Sequence, residues 1–378
     1  MQNSNYIRRD KDKIVAGNGL PEFRRGMGLG GWLLPEGYMW EFEGEVNSPL
    51  RMEKLVHDIL GPDAAGEFWQ KYLDRFITER DIEAMAHAGF DHVRLPLNSR
   101  TIMEGGHLSE SAGKRIDTLV EWCKASRITV MLDLHGAPGG QTGANIDDSP
   151  NRKPELFTDP KNFNAGLQLW SDLAARYASE PWVAGYDILN EPLPDQNDNG
   201  SLIPELNRFH REAVKTIRKV DPWHLLSIEG WHWSTRFDGL DLDLDCNSVL
   251  HFHKYWSTPD TSSIEPYLTM RRETGLPLWM GESGENTNDW YREAFNLFES
   301  HNIPWTFWTW KKLARTNSPA TITKPQNWEL LEAAAQDPTL AINREKAAKA
   351  LWTFIENLAL EHCSINAGVL ESLPGISA

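Results

Sequence analysis

Along most of the chain, short continuous apolar runs alternate with stretches in which apolar residues recur every three to four positions. Eight runs read as strands: Arg25–Trp32, His92–Leu97, Ile128–His135, Val183–Asn190, His224–Glu229, Ser248–His253, Leu278–Glu282 and Pro304–Trp310. Most are apolar throughout rather than alternating, the pattern of parallel strands buried on both faces. Helical spacing fills most of the gaps. It predicts helices at Glu79–His87, with Gly89 as a stop, and at Ser111–Ser126, Asn162–Ala178, Pro204–Lys219, Trp290–Ser300 and Asn343–Leu358. Between the fifth and sixth runs no convincing helix is visible.

Eight strands alternating with helices predict an α/β fold, a (β/α)8 TIM barrel. A doubly wound sheet with a second domain is the alternative. A barrel needs ~250 residues, and this chain has 378. Two segments absorb much of the surplus, 33–78 after the first run and 311–340 after the last. Both follow strand C-terminal ends, the barrel face that carries active sites, so residues 1–378 read as a single catalytic domain with two loop elaborations. No repeat, linker or low-complexity tract divides the chain.

Charge and composition narrow the partners. A balance of 38 − 54 = −16 disfavours nucleic acid and anionic membrane, whose phosphates would be repelled. Cys123, Cys246 and Cys363 are too scattered for a disulfide framework or a zinc knuckle. The first residues hold no apolar run long enough for a secretion signal, so a cytoplasmic location is expected unless a signal has been removed. The 17 tryptophans serve either as core or as flat faces for ring-shaped ligands.

In a barrel, polar residues at strand C-terminal ends read as catalytic. Here they are Arg94, His135, the pair Asn190 and Glu191, then His251, His253 and Tyr255, then Glu282, and finally Trp308, Trp310 and Lys311. Glu191 ends the fourth run and Glu282 the seventh, so the two carboxyls can face each other across the barrel mouth. Retaining glycoside hydrolysis requires such a pair, one protonated and one ionised, ~5–5.5 Å apart. Asn190 offers an amide to a sugar hydroxyl, and Arg94 with Tyr255 would hold a nucleophilic carboxylate ionised.

The pieces RGMGLGGWL, GFDHVRLPL, VMLDLHGAPGG, YDILNEP, HFHKYW, WMGESGEN and WTFWTWKK together resemble glycoside hydrolase family 5. LDLHGAPG and GGWL are most similar to its exo-β-1,3-glucanase and β-glucosidase branch. The resemblance runs from Arg25 to about Lys311. It implies Glu191 as acid/base and Glu282 as nucleophile. It places Arg94, His135, Asn190, His253 and Tyr255 around the first sugar subsite, with Trp308 as its stacking floor and Trp310 the competing choice. The chain departs from the family pattern at Lys254, inside H-x-Y, and at His251, a second histidine two residues earlier. Segments 33–78 and 311–340 match nothing in it, although they could wall off one end of the cleft and favour exo action.

Other motifs point less far. His251 and His253 share a strand face, yet two histidines lack the third ligand of a typical zinc site and no H-E-x-x-H occurs. No metal or cofactor is expected. His135 and His253 could instead be satisfied core histidines. Gly26-x-Gly28-x-x-Gly31 fits a dinucleotide fingerprint, but Trp32-Leu33-Leu34-Pro35 is no helix start, so it reads as close backbone packing. No G-x-S-x-G elbow is present. Trp256 and the pair Trp231 and Trp233 could face a sugar cleft. The expectation is a retaining hydrolase of β-linked glucosides or gluco-oligosaccharides. A β-mannosidase, a diglycosidase or aglycone-releasing enzyme, and a binding barrel without activity are the alternatives.

Overall fold

A computed structural model describes residues 3–195 and 198–378. Eight parallel strands close into a barrel: β1 Arg25–Gly28, β2 His92–Asn98, β3 Thr129–Gly136, β4 Val183–Asp187, β5 Leu225–Glu229, β6 Ser248–His253, β7 Leu278–Gly284 and β8 Trp305–Trp308. Each pairs with its neighbour in sequence, and β8 closes on β1 through Trp305 opposite Arg25. All eight apolar runs are barrel strands. Three overreach: the first continues to Trp32, the fourth to Asn190 and the eighth to Trp310, where the chain has already left the sheet.

The six helices expected from periodicity form, with ends shifted by one or two residues. Glu79–Ala88, for example, starts on a capping box between Thr78 and Asp81 and stops at Gly89, whose φ is 110°. Between β5 and β6 only a short turn, Trp231–Ser234, is present. A helix at Thr261–Thr274 joins β6 to β7. Pro266 inside it interrupts the pattern that would have signalled it.

Segment 33–78 is mostly helical, with Pro49–Leu60 and Pro62–Arg75 running into Glu79–Ala88. Trp40, Phe42, Phe68 and Tyr72 from this segment pack with Trp328 and Phe354 from the C-terminal part. Segment 311–340 holds two short strands, Lys311–Leu313 and Ala320–Ile322, and the helix Glu329–Gln336. No helix among the described residues is long and apolar enough to cross a membrane.

The barrel interior changes character along its axis. At the N-terminal end Ile7 and Phe23 plug it against Met131, Ala184, Leu225, Val249 and Trp279. His92 stacks on Phe23 at 3.9 Å and reaches Thr306 with Nε2. Above this floor the inward positions turn ionisable: Arg94, Asp133, Asp187, Glu229 and His251, all fully buried. The C-terminal ends of the strands open into a cavity.

Candidate active site

The cavity measures about 780 Å³, and its wall includes Glu191, Glu282, His135, His253, Tyr255 and Trp308. Carboxylate oxygens of Glu191 and Glu282 come within 4.8 Å of each other, with His253 between them. Glu282 is held from two sides. Arg94 Nη1 donates to its Oε2 at 2.7 Å and the Tyr255 hydroxyl to its Oε1 at 2.8 Å. Glu191 has no cation at hydrogen-bond distance among the described residues. Its carboxyl meets His253 Nδ1 at 2.6 Å, and its backbone N–H donates to Glu229 Oε2 at 2.7 Å. Burial pushes the Glu191 carboxyl up to about 7, against the opposing pull of His135 and Arg94. The two carboxyls therefore sit in contrasting settings, one buried beside neutral imidazole and one bound to a guanidinium.

Arg94 and Asn190 lie beneath the cavity rather than on its wall. Arg94 Nε donates to Asp187 at 2.8 Å, Nη2 donates to Asn190 Oδ1 at 2.7 Å and to Glu229 at 2.9 Å, and the same nitrogen pairs with the Asp133 carboxyl at 3.1 Å. Burial works against the Arg94 charge, and the carboxylates of Asp133, Asp187, Glu229 and Glu282 more than restore it. Asn190 is fully buried and bridges Arg94 to His135 Nε2.

His135 Nδ1 is anchored by Asp133 at 2.7 Å, and its ring lies parallel to Trp308 at 5.5 Å. Trp308 Nε1 donates to the Tyr38 hydroxyl at 2.7 Å. A Cβ on Gly30, two residues past the end of β1, would come within 2.4 Å of the Trp308 ring. The first two glycines of the fingerprint-like stretch serve similar close approaches, Gly26 to His92 and Gly28 to Trp308.

Trp310 does not belong to the cavity. Its ring is buried and Nε1 donates to Asp81 at 2.9 Å. Because β8 ends at Trp308, the two-residue parity of a strand no longer holds at position 310. Trp231 is likewise buried, under the Arg236 guanidinium at 4.1 Å, whereas Trp233 and Trp256 line the cavity.

Several site residues were not foreseen. Asp133 lies within β3, below its C-terminal end, and Asp187 is the last residue of β4. Glu229 ends β5, and the carboxylate-glycine pair Glu229-Gly230 was the signal, the same pattern as at β7 reversed in order. Glu36 and Tyr38 from segment 33–78, and Arg315 and Asn317 from segment 311–340, complete the wall. Burial raises the Glu36 carboxyl well above the usual range, and the charges of Glu282, Glu191 and Glu285 raise it further.

Donor atoms of Glu229, His251 and His253, and those of Asp133, Asp187 and Glu229, approach within 4.8 Å. The Arg94 guanidinium sits among these carboxyls and pairs with Asp133, Asp187 and Glu229.

The model described as Cellulase (glycosyl hydrolase family 5) matches residues 59–313. The chain belongs to glycosyl hydrolase family 5. It is a retaining glycoside hydrolase, and its barrel is the barrel of that family. It is 26% identical over 348 residues to a β-xylosidase of Phanerodontia chrysosporium, covering 82% of this chain and 71% of the relative. It is 34% identical over 312 residues to endoglucanase C of Acetivibrio thermocellus, covering 65% and 87%. A probable glucan 1,3-beta-glucosidase A of Emericella nidulans is 27% identical over 267 residues, covering 68% and 64%.

Proposed function

We propose that this family 5 enzyme cleaves β-linked glucosides or gluco-oligosaccharides by double displacement, with Glu282 as nucleophile and Glu191 as acid/base. The observation that carries this reading is the approach of the two carboxyls to within 4.8 Å, the spacing of retaining rather than inverting catalysis. Glu282 attacks the anomeric carbon while Glu191 gives its proton to the departing oxygen. Glu191 then takes a proton from the water that opens the glycosyl-enzyme. Hydrogen bonds from Arg94 and Tyr255 aim the Glu282 carboxylate, and burial pushes the Glu191 carboxyl up to about 7.

The endoglucanase and glucan 1,3-beta-glucosidase among the relatives favour glucose at the first subsite. A cavity of about 780 Å³ suits a short ligand, and walls from both inserted segments favour removal of terminal residues over attack along a chain. Trp308 supplies the stacking face for the sugar ring. A panel of nitrophenyl β-glucoside, β-mannoside and β-xyloside, with β-linked oligosaccharides of several linkages, tests the substrate. Preference for mannoside or xyloside would overturn the glucoside reading. Glu282→Gln should abolish turnover of an activated aryl β-glucoside, and wild-type rates in that variant would refute the nucleophile assignment.

A further inference from the structure

His251 on β6 takes no part in these steps, yet it lies fully buried between the arginine network and the acid. Its Nδ1 is 3.1 Å from Asp187 Oδ1, and its Nε2 is 3.0 Å from His253 Nε2. His253 Nδ1 in turn is 2.6 Å from Glu191 Oε1. Asp187, His251, His253 and Glu191 thus form one continuous line. Space on β7 is cleared for it: a Cβ on Gly281 would lie 1.9 Å from His251 Nε2.

Chemistry fixes the direction of the hydrogens along this line. Asp187 Oδ2 accepts from Arg94 Nε. Burial opposes the Asp187 charge, but the Arg94 guanidinium and the hydrogen bonds from Arg94 and His251 hold the carboxyl well below the usual range. An ionised carboxylate only accepts, so His251 Nδ1 carries a hydrogen. Ser227 Oγ, 3.0 Å from the same nitrogen, is a second acceptor for it. Burial pushes both imidazoles down to about 3, so both are neutral. A neutral imidazole has one N–H. His251 Nε2 is therefore bare, His253 Nε2 donates to it, and His253 Nδ1 is bare. The hydrogen between His253 Nδ1 and Glu191 then belongs to the Glu191 carboxyl.

The opposite polarity would aim the bare Nδ1 of His251 at Asp187 and at Glu229 Oε1, 3.4 Å away. It would also turn the bare Nε2 of His253 toward Glu229 Oε2 at 3.7 Å. Asp187, which only accepts, is thus the contact that decides the polarity.

We propose that Asp187 and His251 are positioning residues that fix the tautomer of His253 and so hold Glu191 as a hydrogen-bond donor, poised to protonate the leaving oxygen. This rests on the acid/base role proposed for Glu191. In the first displacement the Glu191 hydrogen leaves its bond to His253 Nδ1 and passes to the glycosidic oxygen as the bond from that oxygen to the anomeric carbon breaks and the bond to Glu282 forms. The Glu191 carboxylate then faces a bare nitrogen, which favours its recovering a proton from the incoming water. Asp187, His251 and His253 neither gain nor lose a proton. Around them stand Arg94 from β2, His135 from β3, Glu229 from β5 and Glu282 from β7, the last 3.8 Å from His253 Nδ1.

Asp187→Asn tests the line with little change of shape. Arg94 Nε retains the amide oxygen, so the amide NH2 faces His251 Nδ1 and every hydrogen downstream reverses. His253 Nδ1 then donates to Glu191 and stabilises its carboxylate. The alkaline limb of kcat/KM should move to lower pH by about one unit. Hydrolysis of an aryl β-glucoside with a poor leaving group should fall roughly 100-fold. Glycosylation by a dinitrophenyl glucoside, whose departure needs no proton, should fall much less. A merely structural role would lower both substrates alike and leave the limb in place, and that result overturns the proposal. Nitrogen-15 NMR of the wild-type imidazoles reads the tautomers without reference to activity. Hydrogens on His251 Nδ1 and His253 Nε2 are expected, and a hydrogen on His253 Nδ1 in the folded enzyme would also overturn it. Failure of the underlying acid role is distinguishable, because Glu191→Gln would then keep its rate on the poor leaving group while the tautomers stood as expected.

Discussion

Glu36 stands in the cavity wall without a part in the proposed chemical steps. It lines the cavity at 3% exposure, and burial with the neighbouring Glu282 raises its carboxyl well above the usual range, which favours the protonated form. A protonated carboxyl offers one donor and one acceptor to sugar hydroxyls. Glu36→Ala should raise KM, or weaken an iminosugar inhibitor, by about 1.5–3 kcal/mol, with a smaller effect on kcat. An unchanged KM would remove Glu36 from the substrate contacts. Nothing in the sequence pointed to this residue, because 33–78 carries no strand rhythm to give it an address. Glu191 and Glu282 were readable for the opposite reason. Each directly follows or ends a buried apolar run, so the run locates the carboxyl at the barrel mouth. Trp310 was misplaced because the strand rhythm was carried past the end of β8.

At the scale of elements, the parallel strands announced themselves by continuous apolar runs. The amphipathic helices did so by spacing, as with Ile116, Leu119, Val120 and Cys123 on Glu110–Ala125. What stayed hidden were helices whose apolar faces meet other insertions rather than the barrel, such as Pro49–Leu60, and the Pro266-bearing Thr261–Thr274. The helix Ile203–Arg218 hides a cost of another kind. Its His210 is fully buried with both ring nitrogens unpartnered, and burial pushes the imidazole down to about 4. The folded value lies below the unfolded one of ~6.5. Neutral His210 thus costs nothing in proton binding above about pH 6.5, while stability is lost as pH falls from there toward 4. His210→Leu should stabilise the protein by about 1–3 kcal/mol at pH 7 by removing unpaired polar atoms. That margin should widen by about 2 kcal/mol at pH 5, since the variant no longer suffers the linked loss. Urea unfolding of both proteins at the two pH values decides it, and a margin that does not widen would mean His210 finds a partner on protonation.

Over the whole molecule, one cation ties the barrel together. Arg94 reaches from β2 to Asp133 on β3, Asp187 on β4, Glu229 on β5 and Glu282 on β7. It separates the apolar plug below from the sugar cavity above. The guanidinium that binds Glu282 therefore also bonds to carboxylates on three other strands, so the contact to the cavity carboxyl and the joining of the strand ends share one residue. Breaking a buried ion network by removing one partner typically costs ~3–5 kcal/mol, because the charges left behind are uncompensated. Arg94→Met should lose about that much at pH 7.5 as well as nearly all activity. In the variant the stranded carboxylates have folded pKa values above their unfolded ones, so protonation favours the folded state and the deficit should shrink as pH falls toward 5. Denaturant unfolding of wild type and variant at pH 7.5 and 5.0 measures it. An equal deficit at both values would mean that the methionine is tolerated or not by its shape alone, and that the guanidinium charge is not what binds the strand ends together.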